Sequence, residues 1–104
     1  MKSKEIKYFG YIYRNPICHK KNNLIYILNE MERLCRKFGY VSVADMYDLF
    51  GLNCTYTDNL YGWTSLKDAK VKRIGFRSWH LYLPGIRRVR EKVRKEFIVY
   101  GDES

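Results

Sequence analysis

An apolar stripe with helical spacing is the strongest constraint that this sequence places on its fold. The apolar residues recur at i, i+3, i+4 and i+7, the spacing that lines one face of an α-helix. They are Leu24, Ile27, Leu28, Met31, Leu34, Cys35 and Phe38. Asn23 is a candidate N-cap, and Gly39 stands where a left-handed residue ends a helix. The pattern predicts a helix over 24–38 with one buried face.

A second, shorter helix is predicted immediately afterwards. Ser42 and Asp45 have the spacing of a capping box, in which the serine hydroxyl accepts from the amide three residues on and the acidic side chain reaches back. Gly51 ends the segment. Its buried stripe is predicted to comprise Val43, Met46, Leu49 and Phe50.

Strand signals lie on both sides of these helices. Residues 6–13 are β-branched and aromatic, which predicts a strand interrupted at Gly10, and residues 14–16 are typical of a turn. Residues 71–74 and 79–83 are predicted to form a hairpin with its tip at 75–78. In the second arm, alternation places His80 and Tyr82 on the face opposite to Trp79, Leu81 and Leu83.

The remaining segments complete an α+β domain. Residues 53–63 are predicted to form a loop, and residues 64–69 a single helical turn. The apolar residues of 86–97 return to helical spacing, and residues 97–100 are equally able to form a strand. The expected fold is one long and one short helix followed by a β-hairpin, in a winged-helix-like order, with an N-terminal strand and a basic C-terminal helix or strand. Residues 1–104 form one domain.

Composition places the chain in a reducing, aqueous compartment. No apolar run approaches the roughly 18 residues of a membrane span, and the first five residues lack the apolar stretch of a signal peptide. We therefore expect a cytoplasmic protein without a membrane partner. The three cysteines are an odd number without a C-x-x-C motif, so we expect reduced thiols, at least two of them buried.

The residues needed for catalysis are not found at recognisable spacings. His19 and His80 have no partner at motif spacing, and Cys18 and His19 are neighbours whose side chains point apart on a strand. Asp45 and Asp48 share a short helix, but Asp45 is already assigned to a cap. We expect no enzyme activity, no cofactor and no metal site. An active site assembled only in space is the remaining route to catalysis.

Charge is the feature that indicates a function. Twenty Lys and Arg oppose eleven Asp and Glu, for a net charge of +9. Residues 65–104 carry +6 of that excess and residues 1–64 carry +3. Such a surface concentrates polyanions and speeds encounter with them.

Three basic clusters are candidates for the contact. The predicted hairpin surrounds Phe76 with cations, and Phe76 either stacks on a partner or folds back onto the core. A basic run at 87–95 either binds phosphates or carboxylates or is a solvated helix face. The third cluster, Lys2, Lys4, Lys7, Lys20 and Lys21, is assigned to solubility. The predicted binding residues are Lys70, Lys72, Arg73, Phe76, Arg77, Arg87, Arg88, Arg90, Arg94 and Lys95.

Residues 43–52 resemble the first helix and turn of a helix-turn-helix. Met46, Phe50 and Leu52 fall at that motif's apolar offsets, with Gly51 in the turn. Tyr47 departs from it where a small residue is usual, and residues 53–63 do not have the pattern of a recognition helix. This resemblance implies a winged-helix DNA-binding transcriptional regulator.

A second resemblance covers residues 5–84. The segments GYVSVADMYDL at 39–49, YTDN at 56–59 and YGWT at 61–64, together with the hairpin, are similar to small proteins of bacteriophages and prophages. The arginine-rich end departs from that pattern. The resemblance implies an accessory protein that binds nucleic acid or a host nucleoprotein in the bacterial cytoplasm, including inhibitors of defence systems such as CRISPR effectors. A virion structural or assembly protein is the further alternative.

Overall fold

The computed structural model describes residues 2–90, which form two α-helices and seven β-strands. The helices are α1 (Lys21–Phe38) and α2 (Val43–Phe50). The strands are β1 (Ser3–Tyr8), β2 (Tyr11–Cys18), β3 (Val41–Ser42), β4 (Tyr61–Trp63), β5 (Lys70–Gly75), β6 (Ser78–Tyr82) and β7 (Arg87–Arg88). The predicted α+β class is confirmed.

The strands form two antiparallel sheets. The larger has the order β1-β2-β6-β5 and the smaller has the order β3-β4-β7. Strand β2 lies at the centre of the larger sheet. It pairs with β1 through residues 11–16 and with β6 through Ile17 and Cys18.

Helix α1 ends as predicted but begins earlier. Gly39 adopts a φ of 86° and its amide donates to the carbonyl of Cys35, so the left-handed end is confirmed. The predicted N-cap was wrong, because Asn23 lies inside the first turn with its amide 3.3 Å from the carbonyl of Lys20. Lys20 is the N-cap and forms no side-chain capping bond. The apolar stripe loses its last member, since Phe38 is exposed.

Helix α2 matches its prediction at both ends. Ser42 and Asp45 form the two reciprocal hydrogen bonds of a capping box, each 3.0 Å long, and Gly51 has a φ of 76°. The predicted stripe was wrong in one part. Tyr47 is buried while Phe50 is only half-buried, because the Tyr47 hydroxyl accepts a 2.8 Å hydrogen bond from the amide of Arg14 on β2.

The N-terminal region is a hairpin: residues 6–8 and 11–13 lie in strands and Gly10 interrupts them as predicted, but the two parts are antiparallel partners and not one strand. Phe9 and Gly10 form a two-residue turn with φ of 45° and 87°, the signs of a type I′ turn. The predicted turn at 14–16 was also wrong, because these residues continue β2. Pro16 is tolerated there because it is the last residue paired with β1, before the pairing with β6 begins at Ile17.

Tertiary pairing decides the conformation of three further segments. Residues 53–63 are not a simple loop, since Thr57–Asn59 form a 3₁₀ turn and β4 is held between β3 and β7. Instead of the helical turn predicted over 64–69, residues 66–69 form a reverse turn in which the amide of Ala69 donates to the carbonyl of Leu66. The basic C-terminal segment was expected to be a helix or a strand, and residues 87–88 form a strand despite their helical spacing. Residues 91–97 lie outside the described part of the chain.

The core lies between the helices and the two sheets. Trp63 is 1% exposed, packs edge-on against Tyr13 at 5.7 Å between ring centroids, and donates from its indole nitrogen to the carbonyl of Pro84 at 2.8 Å. The fully buried aliphatic side chains around it include Leu24, Met31, Val41, Val43, Met46 and Leu81. The predicted burial of two cysteines was wrong, because Cys18 and Cys35 are half-buried and Cys54 is exposed.

Candidate functional site

The β5–β6 hairpin is confirmed and presents Phe76 at its tip. Phe76 and Arg77 form the turn, in which Arg77 has a φ of 57°. Phe76 is 78% exposed, so its ring does not fold back onto the core. The Arg77 guanidinium carbon lies 5.2 Å from the Phe76 ring centroid. The Nδ1–H of His19 donates to the carbonyl of Arg77 at 2.8 Å and attaches the tip to the end of β2.

Two lysines of the hairpin lie on the outer face of the larger sheet. In the register, Lys70 pairs with Tyr82 and Lys72 pairs with His80, and directly paired residues share a face. The ammonium groups of Lys70 and Lys72 lie 5.7 and 4.8 Å from the Tyr82 ring centroid. The opposite face carries Leu81, which is fully buried.

The Trp79 ring, near the hairpin tip, lies close to cations from two different elements. The guanidinium carbon of Arg73, its partner across the hairpin, lies 6.0 Å from the Trp79 ring centroid. The ammonium of Lys21, at the start of α1, lies 5.1 Å from the same ring. Lys21 was assigned to solubility, and no sequence spacing connects it with Trp79. The pairing of Cys18 with Trp79 brings the two together.

A groove of about 740 Å³ extends the site from the hairpin to the first turn of α1. Its charged and polar lining comes from Lys2, His19, Lys20, Asn23 and Ser78. Lys2 and Lys20 therefore also belong to the neighbourhood of the hairpin tip, although sequence reasoning had separated them from it. The sequence could not give this neighbourhood because β2, which precedes α1, brings β1 and β6 beside it only by strand pairing.

The hairpin cations are not neutralised by the described part of the chain. Residues 2–90 carry seventeen basic and seven acidic side chains, a net charge of +10. No carboxylate in this range forms an ion pair with Lys70, Lys72, Arg73 or Arg77, whereas Glu30 pairs with Arg33 at 2.9 Å on α1. Other carboxylates have structural roles, since Asp45 caps α2 and Asp58 is buried.

The second predicted cluster lies on the other sheet. Arg87 and Arg88 form β7, which pairs with β4, and the Arg88 guanidinium carbon is 5.9 Å from the Tyr61 ring centroid. Arg87 donates to the hydroxyl of Thr64 at 3.5 Å. Arg90 follows β7, and its amide bonds to the carbonyl of Leu60. Arg94 and Lys95 lie outside the described residues.

An aromatic groove of about 630 Å³ lies at the opposite end of β2. Tyr11 and Tyr61 stack there with centroids 4.3 Å apart, and the Tyr11 hydroxyl donates to Asp58 at 2.6 Å. Burial, followed by this hydrogen bond, raises the pKa of Tyr11. The groove is held together by its own side chains, and Asp58 is occupied by Tyr11 and Thr55.

The cysteines and histidines do not converge in the described region. No group of three or more His, Cys, Asp or Glu side chains within residues 2–90 could hold a metal ion. Burial raises the pKa of the Cys18 thiol, which favours the unreactive thiol over the thiolate. His19 bonds to the backbone of Arg77.

Comparison with known proteins adds no relative to this description. No protein-family model, no curated protein and no solved structure matches the chain. Neither α1 nor α2 is long and apolar enough to cross a bilayer.

Proposed function

We propose that this protein binds nucleic acid or a nucleoprotein through the β5–β6 hairpin and catalyses no reaction. The observation that carries the proposal is the exposed Phe76 ring, which stands at a turn beside Arg73 and Arg77, two arginines without carboxylate partners in residues 2–90. An exposed aromatic ring stacks on bases, while neighbouring cations contact phosphates. Trp79, with Lys21 and Arg73 over its ring, extends this basic surface towards α1.

The proposed biological role is that of a phage-type accessory protein. The resemblance of residues 5–84 to bacteriophage and prophage proteins favours a partner in the bacterial cytoplasm. A host nucleoprotein such as a CRISPR effector presents nucleic-acid phosphates, and arginine binds both phosphate and carboxylate through its planar fork. Inhibition of such an effector is therefore the specific role that we propose.

A charge-matched pair of variants tests the nucleic-acid interaction. The double variant Arg73→Gln/Arg77→Gln removes two charges from the hairpin, and the control Arg36→Gln/Lys37→Gln removes two exposed charges from the last turn of α1. The control site lies about 23 Å along the helix from Lys21. Affinity for a fluorescent oligonucleotide is measured against salt concentration, where each phosphate contact contributes about 0.7–0.9 to the logarithmic slope.

The hairpin variant should bind more weakly and lower the salt slope by more than one, while the control keeps the wild-type slope. Equal losses in both variants would show that binding depends only on net charge and not on the hairpin. The proposal fails if wild-type protein binds neither oligonucleotides nor guide-loaded nuclease complexes at low salt.

A pull-down with a guide-loaded nuclease distinguishes the two kinds of partner. Capture that survives digestion of the nucleic acid indicates an acidic protein surface, and capture that digestion abolishes indicates phosphates. The Arg73→Gln/Arg77→Gln variant should reduce capture in either case. Nuclease activity in the presence of the protein tests the inhibitory role directly.

Two competing proposals make different predictions. A winged-helix regulator would read base edges, so a footprint with sequence preference would favour it. The chain after α2 forms a three-residue 3₁₀ turn and then β4, where a winged helix has its recognition helix. A virion structural or assembly protein would co-purify with assembled particles, and its absence from particle proteomes would exclude that role.

A further inference from the structure

In the larger sheet, the buried side chain of His80 lies between strands that carry Lys4 at one edge and Lys72 at the other. His80 on β6 pairs with Ile17 on β2 and with Lys72 on β5. Lys4 lies on β1 at the other edge of the sheet. His80 is 9% exposed, and its Nδ1 atom is buried without a hydrogen-bond partner. A buried polar atom without a partner is uncommon, and the Oδ1 atom of Asn15 on β2 is also buried and unpartnered.

The electrostatic environment of His80 is positive on both sides. Burial lowers the pKa of the imidazole, and the charges of Lys4 and Lys72 lower it further. The remaining neighbours supply no carboxylate to this face, since Ile17 is apolar and Asn15 on β2 pairs with Lys4. Tyr82 and Lys70 continue the same face beyond His80. An anion between the edge lysines would reverse the field that disfavours the imidazolium.

We propose that this face holds a backbone phosphate of a nucleic acid between Lys4 and Lys72, and that His80 takes up a proton as the phosphate binds. Because the Nδ1 atom is buried, the phosphate acts on the ring through its charge and not through a direct hydrogen bond at Nδ1. This inference rests on the proposed nucleic-acid function and assigns it a second contact surface, separate from the Phe76 tip. Asn15 holds this surface together, because its amide donates to the carbonyl of Leu81 at 2.7 Å.

Because binding takes up a proton, the affinity for nucleic acid should increase as the pH falls. Each unit by which binding raises the pKa of His80 tightens binding about tenfold at pH values below the pKa of the free ring. Affinity for a fluorescent oligothymidylate of eight nucleotides is measured from pH 8 to pH 5 at constant salt. Between pH 8 and pH 5, the affinity of the wild-type protein should increase about tenfold more than the affinity of His80→Gln does.

NMR titration of the wild-type histidines gives a readout that does not require the variant to fold. The pKa of His80 should rise by about one unit when the oligothymidylate saturates the protein. Lys72→Gln, at an exposed position, should weaken binding and reduce this rise. Lys37→Gln, on α1, is the charge-matched control and should leave the rise unchanged.

The outcomes separate this inference from the proposed function. If the oligothymidylate binds and perturbs His19 beside the hairpin tip while the pKa of His80 stays constant, the inference is wrong and the proposed function stands. The same conclusion follows if His80→Gln retains the wild-type pH dependence. If no oligonucleotide binds between pH 5 and pH 8 at low salt, the phosphate site and the nucleic-acid function are both wrong.

Discussion

The hydroxyl of Tyr11 donates a 2.6 Å hydrogen bond to the carboxylate of Asp58, and both side chains are buried. The same carboxylate accepts from the amide and the hydroxyl of Thr55. Strand β2 is thereby attached to the segment between α2 and β4. The Asp58 carboxylate therefore accepts from three donors, the hydroxyl of Tyr11 and the amide and hydroxyl of Thr55.

Tyr11→Phe removes one of these donors without changing the stack on Tyr61. Hydrogen bonds to charged groups contribute about 1.5–3 kcal/mol, so we expect the free energy of unfolding to fall by about 2 kcal/mol. Urea unfolding measures the change. Tyr56→Phe, at an exposed tyrosine, is the matched control and should have no effect. An unchanged midpoint for Tyr11→Phe would mean that water replaces the hydroxyl.

Alkaline pH should destabilise the protein through its buried tyrosines. Burial raises the pKa of Tyr13 to about 12, and the pKa of Tyr11 is raised as well. The unfolded chain ionises at its ordinary pKa of about 10, so the contribution is fully present below pH 10 and is lost as pH rises towards 12. Tyr13 alone contributes about 3 kcal/mol at the acidic end of this range.

The test is a series of unfolding measurements between pH 8 and pH 12. Tyr13→Phe should flatten the decline above pH 10, because the variant has no phenol to ionise there. A wild-type protein whose stability stays constant up to pH 12 would contradict the prediction. Tyr56→Phe again serves as the exposed control.

Gly62 is required by the close approach of β3 to β4. A Cβ at this position would lie 2.1 Å from the carbonyl oxygen of Val41 and 2.6 Å from the Cα of Ser42. Both are backbone atoms, so the strands must separate, and we expect Gly62→Ala to lower the free energy of unfolding by about 3 kcal/mol. Gly85→Ala is the control, because nothing lies within 4 Å of its added Cβ. Thermal unfolding of both variants measures the difference.

The parts of the fold that the sequence predicted are those specified by local chemistry. Helix α2 has its capping box and its terminal glycine, and α1 has a long apolar stripe and Gly39. The β5–β6 hairpin has two periodic arms. Strands β4 and β7 were missed because they are only two or three residues long and are specified by pairing with each other.

The candidate site was predicted only where it is contiguous in sequence. Lys72, Arg73, Phe76 and Arg77 lie on one hairpin, as expected. Lys21 was missed because it reaches Trp79 through the pairing of β2 with β6. The sequence predicted a turn at 14–16, where β2 instead continues to Cys18, the partner of Trp79. Arg87 and Arg88 were grouped by an expected helix and lie instead on a strand of the smaller sheet.

The missed hairpin turn is itself a source of strain. Phe9 has a φ of 45°, a left-handed conformation that costs a bulky residue about 1–2 kcal/mol. The Asn-Gly pair is the usual choice for a type I′ turn, and Phe9 is 92% exposed, so its removal sacrifices little packing. We expect Phe9→Asn to raise the free energy of unfolding by about 1 kcal/mol. Thermal unfolding measures the gain, and a loss of stability would show that the contact of Phe9 with Tyr8 outweighs the strain.

The exposed phenylalanines at the two hairpin tips provide a matched test of the binding surface. Phe76 precedes β6, next to the end of β2, and Phe9 precedes the start of β2, so the two rings lie at opposite ends of a strand about 26 Å long. Phe76→Ala should leave the free energy of unfolding unchanged, because the ring is exposed, and should weaken oligonucleotide binding about tenfold through loss of a stacked base. Phe9→Ala removes the same ring from a tip whose two turn residues, Phe9 and Gly10, include no arginine, and should leave affinity unchanged. Equal effects of the two substitutions on affinity would mean that exposed aromatic surface, and not the Phe76 tip with its cations, determines binding.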